Sequence, residues 1–266
     1  MPTPNVYIFW DNSNIYISAQ NYADLHEGIG VKSAVRIAFE AMYRLAHAGR
    51  NVAGGVAIGS IPPDHADLWN RFRQNTQMNL ELYEHGEISG KEQGVDQCIQ
   101  THMLRALADT KEPQIAVLLT GDGSGYDDGV GFHADLERMY KRGWGIEVVS
   151  WDLACNQALK QWATRVGKYI KLDDYYNSIT FVQGARTAAP LSLTRRQSST
   201  IGGSEEYKAE IAKAKTNADT AMQKAKLERE NNELLKEIEK LKQDKEKAEE
   251  KAKYLKRCVN AKAKRH

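Results

Sequence analysis

Short apolar segments alternate with amphipathic segments along the first 183 residues of the chain. The apolar segments are bounded by polar or glycine residues and have the length of buried strands. Strands are predicted at 5–10, 51–58, 78–83, 115–120, 145–150 and 178–182. Apolar residues at a helical spacing predict helices at 33–48, 64–73, 95–108, 132–141 and 156–166. Ser33 is the expected N-cap of the first of these helices.

Strands without polar alternation, separated by helices, are typical of a parallel sheet with helices on both faces. We therefore predict an α/β domain over residues 1–183. In such sheets a site forms beyond the carboxyl ends of the strands. Two predicted strands are followed by an acid at that end, Asp11 and Asp122, and a third reaches Asp152 one residue later.

Residues 184–204 change in character, because small, polar, glycine and proline residues dominate. This composition predicts a flexible linker. Arg195 and Arg196 precede Ser198 at the spacing that basophilic kinases favour, so Ser198 is a candidate phosphorylation site. A phosphate there would add negative charge to the linker. The alternative is a solvated linker that is never modified.

Residues 205–266 are rich in Ala, Glu, Lys and Leu and contain no Pro or Gly. A heptad register places Leu227, Leu234, Leu241, Ala248 and Leu255 at d positions. The matching a positions are Lys224, Asn231, Ile238, Lys245, Ala252 and Val259. Leucine at d with one asparagine at a favours a parallel two-stranded coiled coil, formed with a second copy or another chain. A single helix stabilised by Glu–Lys pairs is the alternative.

Charge is distributed unevenly along the chain. Residues 1–200 hold 19 Lys and Arg against 22 Asp and Glu, whereas residues 201–266 hold 18 against 13. Because residues 1–200 carry a small net negative charge, we expect no broad basic surface there for binding nucleic acid. Three scattered cysteines exclude a disulfide framework and indicate an intracellular protein. With no membrane span or signal peptide expected, we predict a cytoplasmic location, to which the basic tail adds a nuclear alternative.

Three aspartates are candidates for chemistry. Asp11 and Asp122 follow strands, and Asp96 is expected at the start of a helix. Carboxylates gathered in one cleft repel each other, and Mg²⁺ or Mn²⁺ relieves that repulsion because hard cations prefer oxygen ligands. The alternative is structural, since Asp is common in turns and at helix N-termini.

The order of four segments resembles the NYN family of PIN-like ribonuclease domains over roughly residues 5–172. These segments read VYIFWDNSN, QGVD, LLTGD and GFHADLERMYKRGWGIEVVSW. The resemblance implies a Mg²⁺- or Mn²⁺-dependent endoribonuclease that hydrolyses single-stranded RNA with a metal-bound water. Asp11, Asp96 and Asp122 would be the ligands, and Asn14 would orient the first acid or a water.

The family pattern also contains a second aspartate, in Gly-Asp-x-Asp-Phe, which this chain lacks. Gly131-Phe132 stands where Asp-Phe is expected when counting back from Gly143, Ser124 stands at the aspartate's place when counting forward from Asp122, and the intervening GSGYDDGV resembles an insertion. Asp127 or Asp128 could replace the lost ligand. Equally, the insertion could cap a dead site, which would leave a catalytically degenerate RNA- or protein-binding adaptor dimerised by its coiled coil.

Arginines alternate with aromatic residues near one predicted helix. Arg71 and Arg73 could neutralise phosphates while Trp69 or Phe72 stacks on a base. The alternative, which we favour, is that both rings face the core. Lys141 and Arg142 are further candidates for contact with RNA, with the same ambiguity for the nearby Trp144.

Overall fold

The computed structural model describes residues 4–28, 30–61, 66–76, 78–84 and 91–263. The strands are β1 (Val6–Asp11), β2 (Val35–Ile37), β3 (Val52–Ile61), β4 (Asn79–Glu84), β5 (Ile115–Leu119), β6 (Gly145–Ser150), β7 (Lys168–Lys171) and β8 (Thr180–Val182). The helices are α1 (Asn12–Glu27), α2 (Phe39–His47), α3 (Ala66–Asn75), α4 (Lys91–Asp109), α5 (Gly131–Lys141), α6 (Gln157–Val166), α7 (Tyr176–Ile179) and α8 (Glu205–Ala263).

Six strands form one parallel sheet in the order β4-β3-β1-β5-β6-β7. β1 lies at the centre, between β3 and β5, so the ends of β1 and β5 are adjacent. The predicted fold class is confirmed, an α/β fold with a parallel sheet flanked by helices and a long C-terminal helix.

Each face of the sheet carries its own core, because side chains along a strand point alternately to opposite faces. On β1, Ile8 and Trp10 face a core completed by helices α1, α2 and α3. Phe9 faces the other core, which α4, α5 and α6 complete. Trp69 and Phe72 are both buried in the first core and Trp144 in the second, which confirms the core interpretation of these rings.

The structure corrects the prediction around residues 33–48. This stretch was predicted as one helix capped by Ser33, but residues 35–37 form β2, and the helix begins only at Phe39. β2 pairs antiparallel with β8 in a separate two-stranded sheet, so the last predicted strand does not join the main sheet. Val35 and Ile37 are buried. Their i, i+2 spacing fits a strand, but three residues are too few to be distinguished by period from the helix that follows.

Helix α1 and strand β7 were not predicted, and neither was the short helix α7. Helix α1 has too many small and polar residues to show a clear apolar face, and it begins because Asp11 caps it. β7 is a short edge strand of four residues, and only Ile170 is buried. Because α1 begins at the carboxyl end of β1, the prediction omitted part of the frame of the site.

The segment predicted as a flexible linker makes buried contacts at its C-terminal half. Arg196 has no exposed side-chain surface, and its Nη2 lies 2.5 Å from Oε2 of Glu147 on β6. Arg50 binds the same carboxylate with two hydrogen bonds of 2.6 and 2.9 Å. The backbone N–H of Ser199 donates to Glu147 Oε1 at 2.8 Å. This docking anchors residues 196–199 to β6, because the two oxygens of one buried carboxylate accept hydrogen bonds from both arginines and from the Ser199 backbone.

The described chain divides into two compact units, Met1–Lys208 and Ala209–His266. The predicted division at 1–183, 184–204 and 205–266 stays a prediction. Helix α8 is 59 residues long. Leu227, Leu234 and Leu241 are all exposed on it, whereas the side chains of Ala248, Leu255 and Val259 lie outside the described set. Within the described residues, no helix is both long and apolar enough to cross a membrane.

Candidate active site

Asp11 ends the central strand and begins the following helix. Its Oδ1 atom accepts a hydrogen bond of 3.0 Å from the backbone N–H of Asn14, which is the N-cap interaction of α1. Its Oδ2 atom accepts a bond of 3.3 Å from the hydroxyl of Thr120. The residue is only 6 % exposed. One oxygen therefore stabilises the helix, while the other points to the end of β5.

Thr120 links the two strand-end acids. Its buried hydroxyl donates to Asp11 and accepts the backbone N–H of Asp122 at 3.2 Å. Asp122 uses its Oδ1 atom in a turn, accepting both the backbone N–H (2.9 Å) and the hydroxyl (2.5 Å) of Ser124. Its Oδ2 atom accepts no hydrogen bond from a described residue. The turn and cap interpretations thus hold for the Oδ1 atoms, whereas Asp11 Oδ2 accepts only the long hydrogen bond from Thr120 and Asp122 Oδ2 has no donor among the described residues.

Asn14 closes the arrangement from the first turn of α1. Its Oδ1 atom accepts the backbone N–H of Gly121 at 2.9 Å. This bond ties the loop after β5 to the helix after β1. In the structure Asn14 positions the loop that bears Asp122, and it does so through the backbone rather than through either carboxylate.

Burial and the neighbouring carboxylate of Asp122 make ionisation of Asp11 unfavourable. Burial raises the pKa of Asp11 above its ordinary value, hydrogen bonds from Asn14 and Thr120 lower it, and the Asp122 carboxylate raises it further. Neither acid forms an ion pair with any Lys or Arg in the described part of the chain. A bound cation would therefore stabilise the ionised form of Asp11, which no basic side chain among the described residues stabilises.

Asp152, the third strand-end acid, is different. Its carboxylate forms ion pairs with Lys160 and, at 3.3 Å, with Lys171. The hydrogen bond from Lys160 is the main reason that the pKa of Asp152 lies below its usual range. The protein has thus neutralised one strand-end acid, whereas Asp11 and Asp122 have no basic partner among the described residues.

Asp96 is half-buried in the second turn of α4, which begins at Lys91 rather than near Val95 as predicted. Because α4 connects the parallel strands β4 and β5, it begins at the carboxyl edge, the same edge as Asp11 and Asp122. One group of three potential metal ligands among the described residues, however, has all its ligand atoms within 4.8 Å of one another. It consists of Glu81, Cys98 and His102 and does not include Asp96. The structure brings Asp11 and Asp122 together and does not close the trio with Asp96.

A family model for the NYN domain matches residues 5–173. This match covers more than half of the chain and contains every element of the six-stranded sheet. The chain belongs to the NYN domain family. The family is one of PIN-like nucleases, and its members typically use divalent metals. The carboxylate pair of this NYN domain lies where the central strands β1 and β5 end.

One solved structure that the chain matches is a protein of unknown function, VPA0982, from Vibrio parahaemolyticus. It is 15 % identical to this chain, with a TM-score of 0.46, and the alignment covers 65 % of this chain and 94 % of that one. No curated protein matches the chain.

The insertion after Asp122 in this NYN domain is anchored by an aromatic stack. Asp127 and Asp128 lie on a 3₁₀ turn, Tyr126–Asp128, and both are exposed. Tyr126 stacks on His133 of α5, with ring centroids 3.8 Å apart. Neither acid's carboxylate forms a hydrogen bond or an ion pair with a described residue, although the backbone N–H of Asp128 donates to the Gly125 carbonyl at 3.2 Å. Their role as replacement ligands stays a prediction.

Gly131, the residue that counting back from Gly143 places at the second aspartate of the family pattern, has no room for a side chain. Its φ is +85°, and a Cβ atom there would overlap the carbonyl oxygen of Ser124. The conformation of the inserted loop therefore requires glycine at position 131. The lost carboxylate cannot be restored without moving the loop.

We expect Gly131→Asp to destabilise the domain by more than about 1 kcal/mol, because an incompatible φ and a steric overlap both oppose the new side chain. Gly129→Asp is the matched control, since Gly129 has a φ of +72° but nothing within 4 Å of its Cβ position. Urea denaturation measures both. Equal stability of the two variants would contradict this account of the loop.

The predicted RNA-contacting residues lie away from the carboxylates. Lys141 and Arg142 are exposed at the end of α5, just before β6 begins, so they are at the amino edge of the sheet. Arg73 is exposed in the last turn of α3, which also runs back toward that edge. The side chain of Arg71 is outside the described set. The structure does not bring these residues to the candidate site.

Ser198 is exposed, and so is Arg195. Arg196, in contrast, is held by Glu147, so only one of the two arginines is accessible to a kinase in this conformation. Phosphorylation of Ser198 stays a prediction.

Sequence reasoning missed Thr120 and the small residues that shape the loop. A Cβ atom at Gly121 would lie 2.6 Å from the Ala154 carbonyl oxygen, and one at Gly123 would lie 2.5 Å from the Asn156 side chain. The glycines therefore let the loop pack against the segment that begins α6. Thr120 had one available signal, its position directly before Gly121-Asp122.

Proposed function

We propose that the chain is a divalent-metal-dependent endoribonuclease that hydrolyses single-stranded RNA. The observation that carries this proposal is the pair of strand-end carboxylates, Asp11 and Asp122, joined through Thr120 and free of basic partners among the described residues. Membership of the NYN family supports a nucleic-acid substrate.

The residues of the pair fit a hard cation. Both side chains offer an oxygen that the protein leaves without a strong donor, and Mg²⁺ is commonly held by one or two carboxylates together with waters. Asp11 and Asp122 would hold Mg²⁺ or Mn²⁺, and Asp96 would approach from α4. When bound, the ion supplies charge stabilisation at the phosphate and an activated water. Asn14 and Thr120 keep the two ligands at a constant separation.

The proposal is tested by incubating the purified chain with a single-stranded RNA in Mn²⁺, followed by EDTA. Cleavage that requires Mn²⁺ and stops on chelation supports it. Cleavage that continues in EDTA overturns the metal-dependent mechanism. A duplex of the same sequence serves as the control for strand preference.

A second candidate is a catalytically degenerate adaptor that binds RNA or protein. The observation that favours it is Gly131, whose backbone excludes the family's second aspartate. Titration calorimetry separates the two, because the adaptor would bind RNA without binding Mn²⁺ at the carboxylates.

Dimerisation through α8 completes the proposal. The apolar side chains at the predicted d positions 227, 234 and 241 are all exposed in the single chain, so a second helix would bury them. Asn231 at an a position would select a parallel pair, with a second copy of this chain or a related helix. Pairing would join two weak RNA-binding sites in one dimer and raise its apparent affinity for RNA.

We expect Leu234→Asp to weaken self-association by at least about 100-fold, since burial of one leucine contributes about 1.5–3 kcal/mol and each dimer loses two. Leu235→Asp is the control, because Leu235 is equally exposed but lies at an e position. Sedimentation equilibrium measures both variants. An unchanged dimer in Leu234→Asp, or a monomeric wild-type chain, would rule out this register.

A further inference from the structure

A second cluster of metal-ligating side chains lies outside the carboxylate pair. Glu81 is on the edge strand β4, and Cys98 and His102 are on helix α4. The thiol of Cys98 lies 2.8 Å from Glu81 Oε2, and Nε2 of His102 lies 2.8 Å from Glu81 Oε1. The sulfur, nitrogen and oxygen ligand atoms all lie within 4.8 Å of one another.

The backbone explains why these three side chains meet. Leu80 and Leu82 of β4 pack toward the first core, so Glu81 between them points to the opposite face. Helix α4 covers that face, where Ile99 and Met103 are buried. Cys98 and His102 are four residues apart and therefore share one side of α4. The packing that buries α4 thus delivers both side chains to Glu81.

We propose that Glu81, Cys98 and His102 form a binding site for one Zn²⁺ ion, distinct from the carboxylate pair. Thiolate and imidazole ligands favour Zn²⁺ over Mg²⁺ or Mn²⁺. Three protein ligands leave the fourth tetrahedral position for a water. The site would clamp the edge strand to the helix that also carries Asp96.

The distances and exposure fit this assignment. Zinc bound at about 2.3 Å from sulfur and about 2.0 Å from nitrogen and oxygen needs ligand atoms roughly 3.3–3.6 Å apart. The two contacts of 2.8 Å to Glu81 would lengthen, and the separation of the Cys98 and His102 ligand atoms, which is within 4.8 Å, would adjust to the same range. The side chains of His102 and Glu81 are 16 % and 39 % exposed, so an ion can enter from solvent.

The chemistry of the ligands is also suitable. Zinc binding would displace the thiol proton of Cys98 to the solvent and leave a thiolate on the ion.

The experiment uses the full chain, freed of metal with a chelator and then titrated with Co²⁺ under reducing conditions. Sulfur ligation gives Co²⁺ a thiolate charge-transfer absorption in the near ultraviolet, and a four-coordinate site gives intense visible bands. We expect both at one Co²⁺ per chain, with displacement by Zn²⁺ and none by excess Mg²⁺. A wild-type chain without the thiolate absorption overturns the proposal.

Variants locate the site. Cys98→Ser should remove the thiolate absorption and reduce Zn²⁺ affinity by at least about 100-fold, and His102→Gln should reduce affinity while retaining the thiolate absorption. Cys155→Ala is the cysteine control, and Asp11→Asn is the control for the carboxylate pair. Both should keep the wild-type thiolate absorption and Zn²⁺ affinity. Absorption that survives in Cys98→Ser, or that is lost in Cys155→Ala, overturns the assignment. Because the readout is spectroscopic, a negative result here leaves the nuclease proposal standing.

Discussion

Asp11→Asn is expected to reduce Mn²⁺-dependent RNA cleavage by more than about 100-fold, since replacing even a residue that only orients a metal ligand costs roughly 10- to 100-fold. Asparagine keeps an oxygen that can accept the backbone N–H of Asn14, so the N-cap of α1 is retained. What disappears is the negative charge on the side facing Thr120 and Asp122. The substitution therefore separates the charge of the side chain from its structural role.

The same variant should be more stable than the wild type in the absence of metal. Burial raises the pKa of Asp11, so folding is opposed by ionising this side chain. The wild type keeps full stability below the ordinary pKa of 3.8 and loses stability as the pH rises through the higher folded value. The advantage of Asp11→Asn should therefore grow above pH 3.8 and level off above the folded pKa.

Urea denaturation with and without Mn²⁺, together with the cleavage assay, measures both effects. Mn²⁺ should stabilise the wild type and have little effect on Asp11→Asn. Asp152→Asn is the matched control, because that strand-end acid is already paired with Lys160 and Lys171. Cleavage by Asp11→Asn at the wild-type rate, or equal stabilisation of both proteins by Mn²⁺, would contradict the proposed site.

Glu147→Gln is expected to destabilise the α/β unit by about 3–5 kcal/mol, the usual cost of removing one partner from a buried ion pair. Glu147 is fully buried, and its carboxylate is shared by Arg50 and Arg196. A neutral amide would leave two guanidinium groups, at 7 % and 0 % exposure, without a counter-charge. The loss should also release the segment around Ser199, which is bound to the same carboxylate.

The pH dependence of this network has the opposite sign to that of Asp11. Burial alone would raise the pKa of Glu147, but hydrogen bonds and charges from Arg50 and Arg196 hold it below its usual value. Its contribution to stability is therefore present above the ordinary pKa of 4.5 and is lost as the pH falls through the folded value.

Urea denaturation at neutral pH measures the loss, and limited trypsin digestion after Arg195 and Arg196 reports release of the segment. Glu137→Gln is the control, because Glu137 pairs with Lys141 at 3.9 Å near the surface, where such pairs contribute about 0–1 kcal/mol. A loss in Glu147→Gln no larger than in the control would show that the network is not a stabilising element.

The alternation of apolar and amphipathic segments was sufficient to predict the α/β fold and its parallel sheet. Strands that are buried on both faces need continuous apolar residues, and that requirement is visible in the sequence. The same pattern placed Asp11 and Asp122 at one edge of the sheet. Where the pattern was short or polar, as in β2, β7 and α1, it did not identify the element, because packing rather than periodicity determines so short a segment.

Only the tertiary structure decided which side chains are partners. The order of the strands made β1 and β5 neighbours, and this brought Thr120 between the two acids. Packing likewise buried Arg196 against Glu147, 49 residues away, and joined Glu81 to Cys98 and His102. Sequence periodicity determines which face of an element is buried. The distances between groups on different elements depend on how those faces pack, and it is these distances that determine the chemistry.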